Sequence, residues 1–438
     1  MRDGNHRGIT GGTIAVLVLT VLILALYAVV VPSLTGHESI TADFGNFVIA
    51  VDSTITRTVG TKAPVMEQKT PVTAMSTKPV PTTAVTPMPT KVPNRRITVS
   101  LGGSISLNQE ALKAMTYQGQ VNLQPVFEDL AGAMKTDLSI VTLENTIITD
   151  QKATNQNMPS DLLTAIAQTG VNTVCMGYSG VLNNGVSGLA ATKQAIRQAG
   201  LMPFGAYETQ QERISQIFTR GNGIKIALLH FQDVLDSAGK KKTSKEERET
   251  ALVPINLDIM QSEIAAARRG GAQLVVVSLC WGKTGADKPT AEQRKMAQQL
   301  ADAGADLIIG THTQTVQTVD ILQANRADGS TPSVLCAYSL GNLCTANREK
   351  RYALAGMILY ATLEIDAQTG DASLLNASYL PTYSWRGKDE GRTRYRTLRN
   401  DGSTFNSYVD NNQQRVMKAC YEMVENVMQE TGIPPAYQ

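Results

Sequence analysis

The sequence predicts an α/β domain carried outside a membrane on one helix and a stalk. Three observations lead there. From residue 96 onward, short apolar runs alternate with amphipathic stretches, the pattern of a sheet covered by helices on its faces. Residues 13–31 are apolar and uncharged over a length of helix that spans a bilayer. Residues 61–94 hold seven of the chain's 17 prolines, interleaved with Thr and Lys.

The anchor comes first along the chain. No charge falls between Arg7 and Glu38, the apolar run is long for a cleaved leader, and no A-x-A site follows. Residues 13–34 therefore read as an uncleaved, single-pass transmembrane helix. Arg2 and Arg7 precede it while Glu38 and Asp43 follow, so residues 1–12 should be cytoplasmic and the remainder extracytoplasmic. That places the protein at the cell membrane. Residues 35–95 form the stalk, because a Pro/Thr-rich chain buries no core and stays extended.

The folded part then reads in order. "RITVSLGG" is a strand, and "QPVFEDLAGAMKT" a helix with Pro125 in its first turn. "LSIVTLEN" is a strand, followed by the helix "PSDLLTAIAQTG", with Ser160 or Asp161 near its start and Gly170 closing it. "VNTVCMG" is a strand and "GLAATKQAIRQAG" a helix. "IKIALLHF", "AQLVVVSLC", "ADLIIGTH" and "SVLCAYSLGN" are short strands, with the helix "TAEQRKMAQQLADAG" between the second and third. The charged run 237–250, "SAGKKKTSKEERET", reads as an exposed loop. A hairpin turns near Thr369-Gly370-Asp371. Residues 386–438 form a C-terminal extension with an amphipathic helix whose methionines belong to a core.

Composition removes several classes. A formal net charge of +2 and the lack of a basic face argue against nucleic acid as a partner. Aromatics at 5% argue against a stacking platform. The five cysteines are an odd number without CxxC spacing, so they form no disulfide framework.

Several strands end in small or polar residues: Gly102-Gly103, Glu144-Asn145, Tyr178-Ser179-Gly180, Cys280-Trp281-Gly282, Gly310-Thr311-His312 and Ser339-Leu340-Gly341-Asn342. Loops gathered on one sheet edge are the usual place for a site. With "NNGVSGLAATKQAI", "CWGKTGADKPTAEQRKMAQQLADAGADLIIGTHTQTVQ" and "YSLGN", the stretch from about Arg96 to Leu343 resembles the CapA family of capsule or poly-γ-glutamate synthesis proteins. The resemblance implies a calcineurin-like metallophosphatase fold, an α/β/β/α sandwich over residues 96–385. It also implies a domain anchored outside the membrane and acting with a cell-surface polymer or its synthesis machinery.

The family's metal-site pattern is largely replaced. Its Gly-Asp pair is Gly102-Gly103 here, and its Asn-Asn-His falls on Tyr178, Ser179 and Gly180. The acidic residue after the second strand is kept as Glu144, His-Trp-Gly is Cys280-Trp281-Gly282, and Gly-His-His-Pro-His is Gly310-Thr311-His312-Thr313-Gln314. Only four histidines exist in the chain, and His6 and His37 flank the anchor. Two imidazoles without the Gly-Asp aspartate do not rebuild a dinuclear ligand set, so no metal is the default.

Glu144, Cys280 and His312 remain the catalytic candidates, and Trp281, Gly282 and Asn342 the ligand-binding ones. As zinc ligands, Cys280, His312 and Glu144 are an acceptable set for a single divalent metal, and Cys280 with His312 as base is a thiol alternative. His230, Cys175 and Cys336 read as packing residues. Two functions follow: an accessory or binding component of polymer biosynthesis that has lost metal chemistry, or a divergent metal- or thiol-dependent hydrolase.

Overall fold

A computed structural model describes residues 41–44, 47–50, 92–148, 155–214, 217–220 and 223–436. The expected anchor at 13–34 and most of the expected stalk lie outside these residues. Among the described residues no helix is long and apolar enough to cross a membrane. Within the segment read as stalk, Thr41–Phe44 and Phe47–Ala50 pair as a short antiparallel hairpin. The remainder, Met88–Gln438, is one compact unit.

Two large sheets form most of that unit, beside two small two-stranded ones. In the first, strands Met202–Phe204, Thr173–Cys175, Leu138–Leu143 and Arg95–Ser106 run parallel, then Ala355–Ile365, Ala372–Asp389 and Arg392–Arg399 continue antiparallel. Asn342–Thr345 also pairs parallel with the end of Arg95–Ser106. In the second, Ile224–Gln232, Leu274–Cys280, Leu307–Thr311 and Ser333–Ala337 are parallel, with antiparallel edges at Ile217–Arg220 and Val319–Gln323.

Side-chain alternation sorts these strands into layers. Val99 and Leu101 share one core with Val276 and Ile309, so the sheets face each other. Val141 and Val174 point outward, beneath helices Asp161–Gln168 and Gly185–Gln198. Val275 and Val277 point outward from the second sheet, beneath Leu257–Arg269 and Ala291–Asp302. Every residue of Leu138–Leu143 and Leu274–Cys280 is buried, as strands covered on both faces must be. The layer order is α/β/β/α.

Three local expectations change. The helix expected over "QPVFEDLAGAMKT" is two 3₁₀ turns, Gln124–Val126 and Glu128–Leu130. Val126, Phe127 and Leu130 all enter the core, and Gly132 turns the chain left-handed at φ 68 before an α-helix can continue. The charged run 237–250 is not loop but two short helices, Ser237–Lys242 and Lys245–Ala251. Ser244 caps the second through a reciprocal capping box with Glu247. The expected boundary at 385/386 falls inside the Ala372–Asp389 strand, and helix Asn411–Met428 buries Met417, Cys420, Val424 and Met428 in the shared core.

Candidate functional site

Because the central strands of both sheets are parallel, their carboxyl ends lie on one edge, and the polar strand ends are collected there. Glu144 leaves Leu138–Leu143 with its backbone N–H given to Ile105 at 2.8 Å, which ties it to the end of Arg95–Ser106. Cys280 ends its strand between Gln232 and Thr311 in register. His312 follows Leu307–Thr311 at φ 86, and Gln314 two residues on has φ 57. Two side-chain-bearing residues in the left-handed region mark a loop whose shape is imposed by its surroundings.

Burial drives Glu144 up to about 7; the Ser104 hydroxyl opposes this and the Asp236 carboxylate adds to it. Burial also pushes the Cys280 thiol up, helped by the charges of Glu144, Cys175 and Asp236. His312 is half-buried and shifted down by desolvation, against the pull of Asp236. Glu144, Cys280 and Asp236 thus act on one another electrostatically, and Asp236 also acts on His312. No hydrogen bond joins His312 to Glu144 or Cys280 among the described residues. A thiol shifted upward beside carboxylates is a poor nucleophile and a poor thiolate ligand.

Sequence reasoning misses Asp236 and Ser104, and names Tyr178 only as a strand-end residue. Asp236 sits at the N-cap of Ser237–Lys242, gives its N–H to Ser179 O at 2.8 Å and accepts from Asn183 Nδ2 at 2.9 Å. The Asp at the head of "DSAGKKK" is the one available signal, and it borders a run that reads as loop. Tyr178 is buried beside Glu144 and Asp236.

The expected ligand-binding residues have other occupations. Trp281 is buried, donates from Nε1 to Tyr338 O at 3.1 Å and stacks on the Tyr338 ring at 5.8 Å. Gly282 turns the chain at φ 80. Asn342 is buried and donates to Ala353 O at 2.9 Å, which braces the loop. Beneath the edge, His230 Nδ1 lies 3.0 Å from Ser278 Oγ and 3.6 Å from Cys175 Sγ, while Nε2 lies 3.3 Å from Gln232 Oε1. Burial lowers His230 to about 4, so it is a neutral, satisfied core histidine joining the two sheets.

The decisive contact is at Gly103. A Cβ built there would meet Gly341 O at 2.3 Å and Leu340 O at 2.9 Å, with Ser104 N donating to Gly341 O at 3.0 Å. Gly341 in turn bridges Gly356, where a Cβ would meet Asn342 O at 2.1 Å. Backbone fills the place that a side chain on residue 103 needs. Among the described residues, no group of three or more His, Cys, Asp or Glu side chains is placed to hold a metal ion. The residues present do not fit a metallophosphatase cluster.

Two facing sheets, helices outside both, and polar loops gathered at one edge define a four-layer α/β/β/α sandwich protein. A family model described as "Bacterial capsule synthesis protein PGA_cap" matches residues 98–347, more than half of the chain, and the chain belongs to that family. It is 24% identical over 261 residues to "Capsule biosynthesis protein CapA" of Bacillus anthracis, covering 57% of this chain and 60% of that protein. It is 29% identical over 162 residues to "PGA biosynthesis protein CapA" of Bacillus subtilis (strain 168), covering 37% of this chain and 39% of that protein. In both cases the match spans less than two thirds of the relative's own length. Among solved structures, a calcineurin-like phosphoesterase YfkN from Bacillus subtilis aligns at TM-score 0.37 and 11% identity, over 76% of this chain and 99% of that one. A hypothetical protein from Thermus thermophilus aligns at TM-score 0.33 and 12% identity, over 65% of this chain and 98% of that one.

Proposed function

We propose that the chain is a membrane-anchored, extracytoplasmic accessory or binding component of capsule or poly-γ-glutamate-type polymer biosynthesis, and that it has lost metal-dependent catalysis. Family membership supports the polymer connection. The apolar run at 13–31 supports the anchor. The observation that carries the loss is the backbone of Gly341 packed against Gly103, which leaves no room for a ligand side chain.

The alternative, a divergent hydrolase using Glu144, Cys280 and His312, draws on one observation. Burial pushes Glu144 up to about 7, the range in which a general acid or base works at neutral pH. Complementation decides between the two. In a polymer-producing cell lacking this chain, surface polymer should be restored equally by the parent and by Glu144→Gln, Cys280→Ala and His312→Ala. Failure of those variants at normal expression, with about one zinc or manganese per purified parent chain lost in them, would sink the accessory reading.

A further inference from the structure

A cleft of about 430 Å³ opens beside Arg392–Arg399, the outer strand of the first sheet, and shares no residue with the strand-end site. Glu128 and Asp129 come from the 3₁₀ turn Glu128–Leu130, and Arg396 from the strand. Asn406, Ser407 and Tyr408 come from the loop ahead of helix Asn411–Met428. Four of these six residues lie beyond 347, where the family match ends. The lining is held by its own bonds. Tyr408 packs on the buried Trp385 with ring centroids 4.8 Å apart, and the Arg396 guanidinium covers the Tyr408 ring at 5.0 Å. Asn406 Nδ2 donates to Asp129 Oδ1 at 3.0 Å and to the Tyr408 hydroxyl, which donates to Asp129 Oδ2 at 3.4 Å. Planar groups locked in this way are already oriented, so a ligand that meets them loses little to ordering.

The charges narrow the occupant. Arg396 lies among three carboxylates, 2.9 Å from Glu128, 3.8 Å from Asp129 and 2.7 Å from Asp389. One guanidinium against three carboxylates leaves the cleft negative, which turns a polyanion away. A cation fares no better, because the guanidinium already occupies the seat among those carboxylates. An apolar ligand finds only the edge of the Tyr408 ring. The groups still open are chiefly acceptors. Asn406 Oδ1 and Glu128 Oε1 take no hydrogen bond among the described residues, and the exposed Ser407 hydroxyl is equally uncommitted there. The ligand that suits them is neutral and brings closely spaced hydroxyls. Each hydroxyl can give its proton to a carboxylate or carboxamide oxygen and accept one from Ser407.

We propose that this cleft binds a neutral, hydroxyl-rich oligosaccharide, with Glu128 and Asn406 accepting from its hydroxyls and Ser407 bonding beside them. The site does not depend on the polymer function proposed above, and the sign of its charge separates its ligand from a polyglutamate chain. A plain hexose chain and an N-acetylhexosamine chain both have the required chemistry, and the probes below tell them apart.

The test is titration calorimetry of the full chain in a polyoxyethylene detergent, whose headgroup carries no sugar. The probes are β-linked tetrasaccharides of glucose and of N-acetylglucosamine, with a γ-linked glutamate oligomer as the charged counterpart. The variant is Glu128→Ala combined with Ser407→Ala. Both positions are exposed, and Arg396 keeps Asp389 and the Pro125 carbonyl, so the fold is retained. The expected result is binding of a tetrasaccharide by the parent and weakening of about tenfold or more in the variant, at an unchanged melting temperature. Binding of the acetylated chain alone, or of the plain chain alone, upholds the cleft and names its ligand. Affinity of the variant within about twofold of the parent overturns the cleft. Binding of neither sugar by the parent overturns the proposal, and so does binding of the glutamate oligomer that is lost in the variant.

Discussion

The carbonyl oxygen of Gly341 lies 2.3 Å from where a Cβ on Gly103 would stand. Both residues meet through backbone, so neither can swing aside as a side chain would. Gly103→Ala should lower stability by about 3 kcal/mol, in the range of severe overpacking. Gly103→Asp should do the same and bind no metal when zinc or manganese is supplied. Urea unfolding and metal analysis check both; a Gly103→Asp chain that is stable and metal-loaded would refute the seal.

Glu144 titrates in the opposite sense to an ordinary paired carboxylate. Its folded value of about 7 lies above the usual 4.5, so the stability it contributes is present below 4.5 and is lost as pH rises through 7. Relative to Glu144→Gln, the parent should lose about 3 kcal/mol between those limits. His230, lowered to about 4, loses stability as pH falls from 6.5, but it is common to both chains and cancels. Denaturation curves of both chains at pH 4.5 and 8 provide the comparison, and parallel pH profiles would contradict the assignment.

All five cysteines are free and buried. The native chain should therefore react with a chromogenic thiol reagent only at the rate of opening, and release five equivalents once denatured. Rapid modification of one native thiol that disappears in Cys280→Ala would show that Cys280 is reachable and restore the thiol reading.

Asp306 holds the back of the second sheet. It is fully buried, accepts from Arg268 at 2.6 Å and Arg326 at 2.5 Å, and takes the Val275 N–H at 2.7 Å. Asp306→Ala removes the carboxylate from two guanidinium groups and leaves the Val275 N–H without its acceptor. Arg326 keeps Asp371, and Arg268 keeps the Gly304, Ala272 and Gln273 carbonyls, so the cost should be about 3 kcal/mol, which urea unfolding measures. Because Asp306 lies at the opposite end of the strands from Glu144, binding by the folded fraction should be unchanged.

The layers are legible because the strands and amphipathic helices advertise their periods. "LVVVSLC" needs cover on both faces, and "TAEQRKMAQQLADAG" shows its cap and its stripe. The helix Leu257–Arg269 escapes such a reading although Asn256 caps it and Met260, Ile264 and Ala267 line one face. At the site, strand ends alone place Glu144, Cys280 and His312 on one edge of the sheets. They do not reveal Asp236 and Ser104, whose importance comes from neighbours far away in sequence, and a local pattern does not carry that.

The Gly103–Gly341–Gly356 row has a historical consequence. Where a lost ligand leaves a void, one reverse substitution can put it back. Here the place is filled by backbone, and a Cβ at Gly103, Gly341 or Gly356 would meet the carbonyl of Gly341, Ala355 or Asn342 in turn. A lineage carrying this row must alter several positions together before a side chain at 103 is tolerated, so a ligand there is not regained by one substitution.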